Sequence, residues 1–147
     1  MEIWQLTATE LKQKIADGEI SAREATESHL SRMYQVNGKL NAVAESCETE
    51  ALQEADAVDK KRRKGDELGA LAGVPVTVKI NVDQRGYATT NGLQLQKDLV
   101  AKIDNPVVNN LRKAGAIIIG RTNTPAFSLR WFTRNVIHGH TKNPLNP

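Results

Sequence analysis

The sequence predicts an α/β protein in which N-terminal helices are followed by the strands of a sheet. Up to about residue 66 the chain is polar, with apolar residues at helical spacing and Ser, Thr or Gly where helices would begin and end. After Gly65 two short apolar, β-branched runs appear, Val74–Ile80 and 116–119, with a helical segment between them. A strand, a helix and a second strand in this order favour a right-handed crossover within an α/β sheet.

Three helices are predicted in the N-terminal region because each has local start and stop signals. A Thr near the start and Gly18 at the end delimit the first helix, and Ser21 with Glu24 forms a capping box for the second. The third ends at Gly65, where a left-handed residue is favoured. The predicted spans are Thr7 or Thr9 to Ala16, Ser21 to about Val36, and Glu48 to Lys64, with a short extended piece at 40–44.

Two buried strands and one helix are predicted in the remainder of the chain. The apolar run Val74–Ile80 and the run from Ala116 to Ile119 are typical of strands covered on both faces. The helix between them, Pro106 to Lys113, has proline in its first turn and glycine beyond its end. The loops 81–92 and 121–135 then leave the same edge of the sheet, where α/β proteins tend to bind ligands.

A lysine, Lys79, stands near the end of the first strand. A charge at the tip of a buried strand costs several kcal/mol, on the order of a buried unpaired polar group, unless it is paired or neutral. One interpretation is that Lys79 marks the place where the strand reaches solvent. The other is that it has a chemical function, and the sequence around it favours this second interpretation.

Charge and cysteine content limit the partners and the compartment. The net charge is +3, and five of the twenty basic residues form the run Lys60–Lys64. This run is either a nucleic-acid patch or the C-terminal end of a helix, and the lack of interleaved aromatic residues favours the helix end. One cysteine, no basic-apolar leader and no apolar run of about 20 residues predict a cytoplasmic protein that binds neither nucleic acid nor membrane.

No cofactor or metal is predicted. His138 and His140 could be read as ligands, but two histidines without a further cluster of ligands are weak evidence for a metal. The segment from Gly115 to Gly120 lacks the Gly-x-Gly-x-x-Gly pattern and follows a helix, which argues against a dinucleotide fold.

Four motifs carry a resemblance to a known family. In chain order they are Gly73-Val-Pro-Val-Thr-Val-Lys79, Thr89-Thr-Asn-Gly92, Leu111-Arg-Lys-Ala-Gly-Ala-Ile-Ile-Ile-Gly-Arg-Thr-Asn123 and Gly139-His-Thr-Lys-Asn-Pro144. In order and approximate spacing they resemble the amidase signature family, closely over residues 68–147 and loosely before that. The resemblance implies the N-terminal portion of an α/β/α fold with a mixed central sheet.

The resemblance also implies a mechanism and a set of site residues. Members of the family hydrolyse carboxamides with a Ser–cisSer–Lys triad, and Lys79 matches the family lysine. Both serines come from a later Gly/Ser-rich segment, and none of the five serines here stands in a Gly-Gly-Ser-Ser context. We therefore expect residues 1–147 to be an incomplete amidase domain, with a helical region over residues 1–66 and a region over residues 67–147 that carries the lysine. Alone it is expected to be inactive and to self-associate.

The expected substrate is a small-molecule amide. The resemblance places Ser128, Leu129, Arg130 and Trp131 along an acyl pocket, whereas Trp131 and its neighbour Phe132 could instead pack against other regions of an enzyme. Ile80, Leu93, Ala126 and Leu145 depart from residues that are common in the family, which leaves the substrate subfamily open. A non-catalytic module that pairs with a separate chain or a second copy is the alternative function.

Overall fold

The structure, a computed structural model, describes residues 2–146 and contains the predicted helices and strands in order, with two further short strands at 134–135 and 139–140 that the sequence did not predict. Within this range the α-helices are α1 (Ala8–Asp17), α2 (Ala22–Leu40), α3 (Glu48–Lys64) and α4 (Pro106–Lys113). The strands are β1 (Val43–Ser46), β2 (Pro75–Lys79), β3 (Ile117–Thr122), β4 (Arg134–Asn135) and β5 (Gly139–His140). Short 3-10 turns occupy Ile3–Gln5, Gln94–Gln96 and Ala126–Ser128.

One sheet has the strand order β1-β3-β2, and β4 and β5 form a separate antiparallel pair. Strand β1 runs antiparallel to β3, with Val43 opposite Thr122 and Ser46 opposite Gly120. Strand β2 runs parallel to β3, because the hydrogen bonds that flank the pair, from the Ile117 amide to Val74 and from the Ile80 amide to Thr122, advance in the same direction. The mixed α/β fold that the sequence predicts is confirmed.

The helix ends follow the predicted local signals. Thr7, rather than Thr9, caps α1: its hydroxyl accepts from the Glu10 amide at 3.2 Å, and the Glu10 carboxylate accepts from the Thr7 amide at 2.8 Å. Helix α2 continues four residues beyond the predicted end at Val36. The Asn37 side-chain oxygen accepts from the amides of residues 42 and 43, and Asn41 at φ +53° then turns the chain out of the helix.

The chain divides into two compact units. The first unit consists of residues 2–34, Cys47–Val76 and Asn110–Ile119, and the second of Gln35–Ser46, Thr77–Asn109 and 120–146. The predicted division near residue 66 falls between α3 and β2 along the chain. As a domain boundary it stays a prediction.

The first unit has an apolar core made by α1, α2, α3 and the starts of β2 and β3. Its buried side chains include Leu11, Ile15, Ala25, Leu30, Ala51, Ala55, Ile117 and Ile118. Asp59 of α3 is buried with them, and its two carboxylate oxygens accept from the Ala22 and Arg23 amides at 2.8 and 3.1 Å. These bonds satisfy amides at the start of α2 that have no partner within the helix.

The second unit buries mainly polar groups. Val78, Ile80 and Val108 are its buried apolar side chains, and Gln84, Thr89, Thr90, Arg121, Asn123 and Thr124 are buried as well. Because a buried polar group is costly without a hydrogen bond, this concentration indicates a specific network. In the described range no helix combines the length and apolar character needed to cross a membrane.

Strand β2 differs from the prediction in its burial. Val74, Val78 and Ile80 are buried, whereas Thr77 and Lys79 on the opposite face are exposed. Among the described residues β2 is therefore covered on one face only, although its apolar run is typical of strands covered on both faces. Strand β3 is longer than predicted and stays buried as far as Arg121, whose charge is accommodated by partners described below.

Candidate active site

Lys79 is the last residue of β2, and its side chain is exposed. The Val82 amide donates to the Lys79 carbonyl at 2.9 Å, so the chain turns immediately after the lysine. Within residues 2–146 no hydrogen bond or ion pair engages the Lys79 side chain. The amine is therefore available to a group outside these contacts.

Arg121 holds the turn that follows Lys79. Its side chain is fully buried, and the guanidinium donates to the Ile80 and Val82 carbonyls at 3.2 Å each and to the Ala88 carbonyl at 2.7 Å. It also donates to the Glu45 carboxylate at 2.7 Å, which balances the charge. A single side chain thus binds backbone carbonyls at both the start and the end of the segment from Ile80 to Ala88.

Arg121 was not among the functional residues predicted from the sequence. An arginine within the apolar run of β3 is the signal that could have revealed it, because such a charge needs a buried partner. The partner, Glu45, lies 76 residues before it in the chain and could not be chosen by spacing alone.

Side-chain hydrogen bonds hold the loop Thr89-Thr90-Asn91-Gly92. Thr89 donates from Oγ1 to the Asp83 carboxylate at 2.5 Å, and Thr90 Oγ1 lies 3.0 Å from His138 Nε2. Burial lowers the pKa of the His138 imidazole, and the nearby Arg121 guanidinium acts in the same direction. At Gly92, with φ +69°, a Cβ would lie 2.9 Å from Asn135 Cβ, so this position requires glycine.

Asn123 and Asn135 connect the loop after β3 with the β4–β5 hairpin. Asn135 Nδ2 donates to Asn123 Oδ1 at 2.8 Å and to the Thr124 carbonyl at 2.7 Å. Asn123 Nδ2 donates in turn to Thr141 Oγ1 at 3.1 Å. Two of the sequence motifs, the one that ends at Asn123 and the one that begins at Gly139, are thus joined in space, as loops from one edge of the sheet are expected to be.

Of the four predicted substrate-binding residues, Ser128 is bonded to the lysine turn. Its Oγ accepts from Asn81 Nδ2 at 3.0 Å and lies 2.8 Å from Thr124 Oγ1. Phe127 and Ser128 both have left-handed backbone angles, φ +55° and +58°, which cost energy for residues with side chains. The hydrogen bonds of Ser128 and the left-handed backbone at Phe127 and Ser128 together hold the start of the segment Leu129–Trp131 in position.

The other three predicted residues lie at the surface. Leu129 and Trp131 are almost fully exposed, and Arg130 is exposed beside them. With Ser128 they line an open pocket of about 310 Å³. A larger cleft of about 590 Å³ lies next to it, where Arg130 meets the loop that contains Gly92.

In the second unit an exposed lysine ends a sheet strand, and the loops that carry the other sequence motifs belong to the same unit. The chain matches the family model for amidases over residues 24–147. It is 53% identical over 145 residues to an indoleacetamide hydrolase of Bradyrhizobium diazoefficiens, covering 99% of this chain and 28% of that protein. It is 38% identical to a glutamyl-tRNA(Gln) amidotransferase subunit of Streptomyces coelicolor, covering 97% and 29% of the two chains.

Solved structures give the same result. Fatty acid amide hydrolase superposes with a TM-score of 0.93 at 29% identity, over 98% of this chain and 26% of that one. A bacterial aryl acylamidase of the amidase signature family superposes with a TM-score of 0.92 at 29% identity, over 99% and 31%.

The chain therefore belongs to the amidase family, and its fold corresponds to an N-terminal portion of the amidase signature fold. It spans less than a third of the length of these relatives.

Proposed function

We propose that this chain supplies the lysine base and one wall of the substrate pocket to a hydrolase that cleaves carboxamide C–N bonds by a Ser–cisSer–Lys mechanism. The observation that carries the proposal is the state of Lys79. Its side chain is free at the end of β2, while Arg121 fixes the turn behind it. A base is useful when its backbone is held and its amine can still reach a partner.

In this mechanism the lysine is the base, and the nucleophile is a serine that residues 1–147 do not supply. A serine hydroxyl attacks a carbonyl well only when a base removes its proton, and a lysine is such a base when it is neutral. In the proposed mechanism the Lys79 amine exchanges this proton with the nucleophile through the cis-serine, and backbone amides stabilise the oxyanion. No serine hydroxyl among residues 2–146 is bonded to Lys79, and Ser128 Oγ is engaged by Asn81 and Thr124.

The substrate proposed is a small linear carboxamide whose acyl group lies along Ser128–Trp131. Exposed Leu129 and Trp131 side chains beside the lysine turn support this placement. Indoleacetamide is the first substrate to test, because a relative with 53% identity bears the name indoleacetamide hydrolase. A cytoplasmic location stays a prediction from the sequence.

A chimeric enzyme provides the test. Residues 1–147 replace the matching N-terminal segment of the Bradyrhizobium indoleacetamide hydrolase, so that the rest of that enzyme completes the fold. We expect the chimera to hydrolyse indoleacetamide, and Lys79→Ala to lower its kcat by several orders of magnitude, about 10³-fold or more, since base and nucleophile act as a unit. Lys97→Ala, at an exposed lysine outside the motifs, is the matched control and should keep the rate.

The 147-residue chain alone should show no amide turnover, because it holds a base without a nucleophile. Hydrolysis of indoleacetamide by the purified chain would refute this division of roles. A folded but inactive chimera, or a Lys79→Ala chimera with a near-normal rate, would refute the assignment of Lys79.

An assembly function is the second candidate. The relatives that are 33–38% identical include proteins named as subunits of an amidotransferase. On this alternative the chain binds a separate protein chain and contributes no catalytic group. It predicts that Lys79→Ala leaves complex formation and the activity of the complex unchanged.

A further inference from the structure

The cleft of about 590 Å³ in the second unit shares only Arg130 with the segment that is proposed to hold the acyl group. It lies among the loop at Gly92–Gln94, the turn at Ala126 and the segment 130–136. Its charged lining residues are Arg130 and Arg134, and no acidic residue lines it.

The two arginines have no counter-charge. Across the described chain neither Arg130 nor Arg134 forms an ion pair with an acidic side chain, whereas Arg23, Arg112 and Arg121 each form one or more. The Arg130 guanidinium lies 5.8 Å from the centre of the Phe132 ring, which orients it without neutralising it. Two like charges without an anion give the cleft a positive potential.

The backbone around the cleft is held in place. Arg134 lies in β4 and pairs with His140 of β5, and the Asn135 side-chain amide is bonded to the loop after β3. Arg130 follows Ser128, whose hydroxyl is bonded to Asn81 beside the lysine turn. The cleft therefore adjoins the segment that the proposed function assigns to the acyl group.

The remaining walls are apolar. Phe132 and Val136 are exposed by 53% and 81%, and Leu93 also lines the cleft. Exposed apolar groups next to unpaired guanidinium groups match a ligand that has an apolar body and an anionic end, and a carboxylate is the anion whose geometry an arginine fork fits.

We propose that this cleft binds a carboxylate carried on an apolar, preferably aromatic, group. Resting on the proposed function, the inference extends the candidate substrates from a neutral amide such as indoleacetamide to amides that bear a free carboxylate away from the scissile bond. Arg130 and Arg134 bind that carboxylate, and Phe132 with Leu93 contacts the apolar body.

The test measures binding to the 147-residue chain and requires no hydrolysis, so it can fail or succeed independently of the amidase function. Phenylacetate is the probe, phenylacetamide is its neutral counterpart and acetate lacks the apolar body. Titration calorimetry and NMR shift mapping report affinity and location. We expect saturable phenylacetate binding that shifts the amides of Phe132 and Asn135, with weaker binding of both other compounds.

Two double variants distinguish binding of phenylacetate in the cleft from nonspecific attraction of an anion to a basic protein. Arg130→Gln with Arg134→Gln should weaken phenylacetate binding by at least about tenfold, the loss that corresponds to one charge-assisted hydrogen bond. Lys60→Gln with Arg63→Gln removes the same charge at the end of α3 and should leave the affinity unchanged. Circular dichroism checks that both double variants fold.

Three results would overturn the proposal. They are the absence of saturable phenylacetate binding, binding of phenylacetamide as tight as that of phenylacetate, and equal losses of affinity in the two double variants. The last result would show a diffuse attraction of anions to a basic chain.

Discussion

Replacing Arg121 by methionine tests whether one buried side chain holds the loop that follows Lys79. The guanidinium is fully buried and bonded to Glu45 and to three backbone carbonyls. Methionine fills similar volume but leaves those acceptors without a donor. Removal of one partner from a buried ion pair costs about 3–5 kcal/mol of unfolding free energy, against about 0–1 kcal/mol for a surface pair.

The companion change, Glu45→Gln, should cost less. The Glu45 side chain remains 30% exposed, so water can replace some of the lost interaction, and a loss of about 1–3 kcal/mol is expected. Urea unfolding of the wild type, both single variants and the double variant gives the coupling free energy of the pair. A cost below about 1 kcal/mol for Arg121→Met, or no coupling with Glu45, would refute the reasoning that this pair is buried and holds the loop.

Other consequences of the structure can be checked by the same unfolding measurements. Asp59→Ala should cost about 1–2 kcal/mol, because it removes the acceptor of two helix-start amides, and Asp59→Asn should cost less. Gly73→Ala should destabilise by about 1–3 kcal/mol, since φ is +79° and the new Cβ would lie 2.8 Å from Ile15 Cδ1; a neutral result would contradict this close approach. Burial lowers the pKa of His138 below 6.5, so the folded chain binds this proton less readily than the unfolded chain, and stability should fall as the pH drops below about 6.5. His138→Gln should reduce that pH dependence. Strands β1 and β2 are the edges of the sheet within residues 2–146, so light scattering should show association that increases with concentration; a monomer at all concentrations would argue against this.

Local sequence signals determined most of the secondary structure. The capping residues Thr7 and Ser21, and glycines 18 and 65 in the left-handed region, set the helix ends near the predicted positions. Such signals involve residues three to five positions apart, so they can be read without knowledge of the fold. The end of α2 was missed because the Asn37 side chain bonds forward to the amides of the following segment.

The motifs also located the site along the chain. Lys79, the threonine loop and the two asparagine-containing segments were identified in order, and the structure brings the last three together through side-chain hydrogen bonds. The resemblance that these motifs carry placed the chain in its family, and the family match confirms that placement. The roles of Lys79 and of Ser128–Trp131 stay predictions that the chimera can test.

Only the tertiary structure decided which distant residues meet. The pairing of β1 with β3, the ion pair between Glu45 and Arg121, and the bond from Asn81 to Ser128 join positions 47 or more residues apart. No periodicity in the sequence specifies such partners, because their energy depends on burial that exists only after the chain has folded. For the same reason the open face of β2 at Lys79 could not be read from its apolar run: a β-branched segment has the same sequence whether one or both of its faces are covered.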